Sequence, residues 1–151
     1  MPADSEPAPT IPHTWRPFGV RLMLAVVGTG LLVLLVVVWI GLGDDIRSEF
    51  TLLQRITLVL FVVLLTVTYW GLVRCKVVAT DLGLEVVNGY RVHRYEWSQV
   101  LSVSLPRGAP WATFDLSDGT SRAAMGVQGS DGDRARLAVR EIRSCIAAHT
   151  P

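Results

Sequence analysis

Two long stretches without a charged residue govern what this chain can fold into. Residues 22–43 read LMLAVVGTGLLVLLVVVWIGLG, and residues 56–73 read ITLVLFVVLLTVTYWGLV. Arg21 and Asp44 bracket the first, Arg55 and Arg74 the second. A bilayer core of about 30 Å takes roughly 20 apolar residues as a helix, and an uncharged run of about 18 is a candidate span. In lipid, helices and closed barrels satisfy their own backbone, and these runs lack the alternation of barrel strands. The pattern predicts two transmembrane helices joined by a tight loop. The competing reading is a hairpin buried in a soluble core. Consecutive Leu, Val and Ile on every helix face argue against it.

Charges at the helix ends set an expected topology. The loop 44–55, DDIRSEFTLLQR, holds Arg47 and Arg55. The other side holds Arg16 and Arg21 before the first run, then Arg74, Lys76 and Arg91 after the second. Lys and Arg near helix ends favour the cytoplasm, so both termini are expected there, with the hairpin in the plasma (inner) membrane as a multi-pass anchor. Trp39 and Phe50 lie toward the loop, and Trp15, Tyr69 and Trp70 toward the termini, as interfacial aromatics would. The first run exceeds a signal-peptide core, and no small-x-small cleavage site follows it, so it is expected to stay as an anchor. Neither run contains an ionisable residue of the kind that carries protons or ions, which argues against a transporter or pump. Gly28, Gly30, Gly41 and Gly43 form no Gly-x-x-x-Gly in the first run, and Thr57, Thr66 and Thr68 are weak candidates for bonds between helices.

The remaining chain divides at those runs. Residues 1–20 open with MPADSEPAPTIP, proline-rich and poor in apolar bulk, and are expected to be a disordered tail. His13 reads as a solvated tail residue and Trp15 as a headgroup-level anchor. Residues 74–151 suffice for one small domain. Two cysteines, Cys75 and Cys145, do not make a disulfide scaffold, and the net charge of +1 gives no reason to expect nucleic acid as a partner.

Beyond Arg74 the period becomes two. Leu101, Val103 and Leu105 alternate with Ser102 and Ser104; Ala112, Phe114 and Leu116 alternate with Thr113, Asp115 and Ser117. Such alternation marks half-buried antiparallel strands. Asn88-Gly89 and Asp118-Gly119 are strong hairpin turns. Six strands are predicted, near 74–80, 83–88, 90–96, 100–105, 111–117 and 120–127. A helix over about 131–148 follows, with Ser130 as N-cap and Asp131 and Asp133 facing its dipole. Ala135, Ala138, Val139, Ile142 and Ile146 form its apolar stripe, which Leu137 does not fit. Strands closed off by one amphipathic helix suggest a small barrel or bent sheet capped at one end.

Several segments in this order resemble a known family. They are Thr80-Asp81-Leu82-Gly83-Leu84-Glu85-Val86, then Tyr95-Glu96-Trp97-Ser98-Gln99-Val100 with Val103, then Phe114-Asp115-Leu116-Ser117-Asp118-Gly119, then the helix from Asp131, all after two apolar helices. The chain resembles actinobacterial two-helix membrane proteins with a bacterial pleckstrin-homology (PH)-like domain, in particular the group called low molecular weight protein antigen 6. The resemblance covers about residues 15–148. It implies a seven-stranded bent antiparallel barrel with a C-terminal helix, one strand more than the pattern shows. It also marks Gly83, Leu84, Trp97, Asp118 and Gly119 as structural signature positions, Trp97 as a large core anchor.

Candidate binding residues are basic. Lys76, Arg91, Arg94 and Arg107 follow the second apolar run, and PH domains of other kinds hold anionic headgroups with basic residues on early strands. Each such residue near an anionic leaflet contributes about 1 kcal/mol. These four are scattered, without the dense basic cluster such recognition uses, and a solvated, positive-inside flank is the preferred reading. Arg136, Arg140 and Arg143 share one helix face that suits an acidic partner or lipid, or simply water. Cys75 adjoins the membrane border, where palmitoylation is conceivable, although an unmodified thiol fits a cytoplasmic setting.

The sequence offers no chemistry. His13, His93 and His149 are dispersed, and H-E-x-x-H, C-x-x-C, Walker and G-x-S-x-G motifs are missing. Asp131-Gly132-Asp133 lacks the other ligands of a calcium loop. No catalytic residue, metal ligand or cofactor is therefore expected. The sequence predicts a non-enzymatic interaction or scaffold module on the cytoplasmic membrane face, recognising a protein partner or its own copies. An anionic lipid-headgroup sensor and an accessory subunit docking through its hairpin are the alternatives.

Overall fold

The computed structural model describes residues 9–149, which fall into two units. One is Val20–Val73; the other joins the segment up to Gly19 to the chain from Arg74 onward.

The apolar runs form two helices, α1 (Phe18–Gly41) and α3 (Leu52–Val73), each starting four residues earlier than expected. Between them the loop is a short helix, α2 (Asp44–Glu49), rather than a bare turn. Both long helices are long and apolar enough to cross a membrane. Their apolar side chains are exposed nearly throughout, Ile40 at 67% and Leu53 at 74%. A soluble hairpin core would have to cover them. The pair is antiparallel: the Arg21 guanidinium donates to the Val73 carbonyl at 3.1 Å at one end. At the other, the rings of Trp39 and Phe50 meet edge-on with centroids 5.6 Å apart. Thr57, Thr66 and Thr68 do not bond across helices. Each hydroxyl donates to the carbonyl four residues back, at 2.9, 2.8 and 2.9 Å, because a helical threonine reaches that oxygen without any partner helix.

The second unit is β-rich. All six predicted strands are present, and a seventh comes from an unexpected place. Strand β1 (His13–Trp15) lies in the segment read as a disordered tail. It pairs antiparallel with β2 (Lys76–Thr80), Trp15 opposite Val77. The tail expectation is thus corrected at His13–Trp15; residues 1–8 lie outside the described residues. Two flanking signals explain the strand. Trp15 supplies a large apolar side chain, and β2 would otherwise present an open edge. Strands β3 (Gly83–Asn88) and β4 (Arg91–Glu96) complete a sheet ordered β1-β2-β3-β4. Strands β5 (Val100–Ser104), β6 (Trp111–Leu116) and β7 (Ser121–Gln128) form a second, three-stranded sheet. The expected barrel is therefore two antiparallel sheets, not one closed wall. Helix α4 (Asp133–His149) follows a 3-10 turn at Gly129–Asp131.

One core lies between the sheets and α4. Val77, Ala79, Leu84 and Val86 meet Phe114, Val103 and Ile142, all 1% exposed or less. Burying a large apolar side chain stabilises by about 1.5–3 kcal/mol, so this cluster dominates the domain's stability. The alternation in β6 holds: Ala112, Phe114 and Leu116 point inward. That in β5 does not. A register shift between Val100 and Ser102 sends Val100 in and leaves Leu101 62% exposed. A bulge of this kind reverses which face the next residue takes.

The sheets are tied at β7. The Asn88 side chain donates to the Ala123 carbonyl at 2.6 Å and accepts the Met125 amide at 2.9 Å. Gly126 lets β7 run against β2, since a Cβ there would stand 2.5 Å from the Lys76 carbonyl carbon. Gly83 is required for a similar reason: its φ is +152°, and a Cβ would run into the Tyr95 carbonyl.

Candidate functional site

The signature positions are structural in this fold. Leu84 is a core residue at 1% exposure. Trp97 is buried, donates its indole N–H to the Thr80 carbonyl at 3.1 Å and stacks on His149 at 4.5 Å. Asp118 accepts the Thr120 amide and hydroxyl at 2.8 and 2.7 Å while Gly119 takes φ +80°. Those bonds hold the Asp118 carboxyl below the usual aspartate range.

The basic candidates disperse. Lys76 and Arg94 flank one carboxylate, Glu85, at 3.9 and 2.9 Å. They share the outer face of the four-stranded sheet, where Glu85 sits opposite Arg94 in register. Arg91 begins β4 and is exposed; Arg107 lies in the loop between β5 and β6, on the other sheet. No single cradle gathers the four. On α4, Arg136 pairs with Asp133 at 2.8 Å and Arg140 is exposed. Arg143 donates to the Val103 carbonyl at 3.1 Å, which ties the helix to β5.

Three readings from the sequence need correction. Trp15 is no interfacial anchor: it is 6% exposed within the core, and its indole N–H donates to the Glu141 carboxylate at 2.6 Å. His13 is a strand residue, its ring 4.7 Å from that of Trp15 and its Nε2 3.9 Å from Glu141. Ser130 and Asp131 belong to the 3-10 turn before α4, and the Asp131 carboxylate accepts the Phe18 and Gly19 amides, each at 2.8 Å. It caps the first turn of α1 instead of its own helix. The acid sits where the sequence places it, but the amides it serves come from 112 residues away.

Cys75 is 2% exposed, and its sulfur accepts the Gly89 amide at 3.2 Å, so it is poorly placed for acylation. Burial pushes the Cys145 thiol up, with the Glu141 charge adding to the effect. Neither cysteine forms a disulfide. Among the described residues no group of His, Cys, Asp or Glu is arranged to hold a metal.

An open groove of about 370 Å³ lies between the β1 segment, the end of β7 and α4. Arg16, Phe18, Gln128, Arg134, Leu137 and Glu141 contribute to its lining. Leu137, which fits no core stripe, faces this groove at 36% exposure. The Arg134 guanidinium stands 4.1 Å over the Phe18 ring. Sequence reasoning missed the groove because one side of it, Thr14, Trp15, Arg16 and Phe18, comes from the supposed tail.

Strand order, the Trp97 anchor and the capping helix now stand together, and a family model agrees with them. The bacterial PH domain model matches residues 74–144. Those residues are similar to bacterial PH domains. Uncharacterised proteins of Mycobacterium bovis and Mycobacterium tuberculosis are similar, 36% identical over 78 residues, which is 52% of this chain and 49% of each relative. The chain therefore spans about half the length of the curated relatives it matches. These findings agree with the resemblance to actinobacterial PH-like proteins. No solved structure matches. PH-like domains are typically interaction modules without catalysis, and no enzyme family is indicated. In this chain the PH-like unit draws one further strand, β1, from before α1.

Proposed function

We propose that this protein is a membrane-anchored, non-catalytic PH-domain module on the cytoplasmic face of the cell membrane. The observation that carries the reading is the pairing of β1 with β2. The chain leaves the domain at Trp15, passes through α1 and α3, and returns at Lys76 to pair with the strand it left. Two long helices whose apolar faces are exposed, entered and left at paired strands, fit a double span with the domain and both termini on one side. The Arg16, Arg21, Arg74, Lys76 and Arg91 charges favour the cytoplasm for that side.

The domain acts by binding a protein partner. Strand β4 ends its sheet, and Tyr90 and Val92 beside that edge are 57% and 45% exposed. An edge of this kind accepts a partner strand through backbone hydrogen bonds. Carbonate extraction of native membranes tests the anchor; recovery in the soluble wash rejects it. Affinity capture in mild detergent tests the module. A reproducible partner with the natural chain, lost with Val92→Lys, supports strand addition, and a lone monomer counts against it.

A further inference from the structure

The turn between β3 and β4 is held by the residues that follow α3. That helix ends at Val73, and the next two residues both grip the turn. The Arg74 guanidinium stands 5.9 Å from the centre of the Tyr90 ring, and the Cys75 sulfur accepts the Gly89 amide at 3.2 Å. Asn88 lies opposite Arg91, so Gly89 and Tyr90 make up the whole turn. Its apex therefore carries an exposed aromatic side chain, fixed close to the chain position where a candidate membrane span ends.

Position, more than hydrophobicity, singles this residue out. Leu82 is more apolar and more exposed, at 85%, but it sits in the turn at the opposite end of β3. The six residues of that strand put it roughly 17 Å away. A lone exposed aliphatic side chain is ordinary on a protein surface. A tyrosine held at the end of a span stands where tyrosine is enriched, at the border of membrane and water. We infer that Tyr90 is an interfacial anchor: its ring enters the layer between headgroups and acyl chains, its hydroxyl stays toward water, and the β3–β4 turn is held against the bilayer. The inference rests on the membrane anchor proposed above, and it goes beyond that anchor by giving the β-rich unit its own lipid contact. Burial of the ring drives it, so it requires no anionic lipid. Strand β4 from Val92 onward stays open to a partner strand.

The test uses the full natural chain, one copy per phosphatidylcholine nanodisc, so neither a second copy nor an anionic lipid is present. Hydroxyl-radical footprinting, read by mass spectrometry, measures the access of water to each side chain. Tyr90 is expected to be modified more slowly than Leu82, although a phenol ring reacts faster than an alkyl chain. Tyr90 modified as fast as Leu82, or faster, overturns the inference. So does protection that appears only with two copies per disc, which makes the contact one between proteins. A nitroxide attached to Y90C or to L82C gives a second readout in the same discs. Cys75 and Cys145 are buried, so the added thiol takes the label. At position 90 the label should collide with dissolved oxygen in preference to a water-soluble nickel complex, and at position 82 the preference should reverse. The same preference at both positions overturns the inference. A chain that carbonate strips from membranes overturns the anchor and the role of Tyr90 together. A chain that stays while Tyr90 is modified like Leu82 overturns the role of Tyr90 alone.

Discussion

The Trp15 indole donates to the Glu141 carboxylate at 2.6 Å across 126 positions of sequence. One residue precedes the apolar hairpin and the other lies on the last helix. Between them they stitch the segment before α1 into the domain that follows α3.

Removing that stitch should unfold much of the domain. Trp15→Ala deletes a core aromatic and strands Glu141, a change that typically costs about 3–5 kcal/mol. Trp15→Phe keeps most of the burial and loses the hydrogen bond, for about 1–3 kcal/mol. Thermal unfolding of the full chain in detergent, followed by circular dichroism, should rank natural above Phe above Ala. Equal midpoints would mean that His13–Trp15 contributes no strand.

Asp131 serves the amides of Phe18 and Gly19. Asp131→Ala should cost about 1 kcal/mol, as loss of an N-cap does. For a domain of this size that lowers the melting midpoint by about 4–8 °C. Asp133→Ala lacks those bonds and should move it much less. If the two variants match, Asp131 is acting on its own helix.

Asn88 joins the sheets through both ends of its amide, to Ala123 and Met125. Asn88→Ala leaves both backbone groups without their partner, for about 1–3 kcal/mol. Asn88→Asp keeps an acceptor for Met125 but sets a carboxylate against the Ala123 carbonyl, and should be at least as damaging. Amide hydrogen exchange at Met125 reports the change directly: protection should fall in both variants.

Asp115 accepts the Ser102 and Ser121 hydroxyls at 2.7 and 2.8 Å, bonds that hold its carboxyl below the usual aspartate range. Its folded pKa lies below its unfolded one. The stabilisation is therefore complete above the unfolded value and fades as pH falls through the folded value. In Ser102→Ala the Asp115 titration midpoint, followed by carboxyl-carbon NMR, should move back up. An unmoved midpoint would show that the hydroxyl bond does not set it.

Buried thiols should also be slow. Cys75 and Cys145 are 2% and 0% exposed, so a thiol reagent should label the native chain far more slowly than the denatured one. Rapid native labelling at Cys75 would reopen acylation there.

Much of this protein was legible locally. Uncharged runs of helix-spanning length can do little else, so α1 and α3 follow from composition. Alternation in Ala112–Leu116 and the Asn88-Gly89 and Asp118-Gly119 turns place strands because side-chain period and turn chemistry are local properties. The Ala135–Ile146 stripe places α4 for the same reason. What the tertiary structure decided is everything that depends on a partner distant in sequence. Trp15 has the same side chain whether it anchors at an interface or fills a core. Only the open edge of β2 and the carboxylate of Glu141, brought there by folding, choose between the two. Asp131 caps a helix that begins 113 residues earlier, and the bulge in β5 is set by pairing with β6. Sequence fixes periodicity and span. Which residues meet is a long-range packing outcome, and the groove that joins Arg16 to Arg134 exists only because of it.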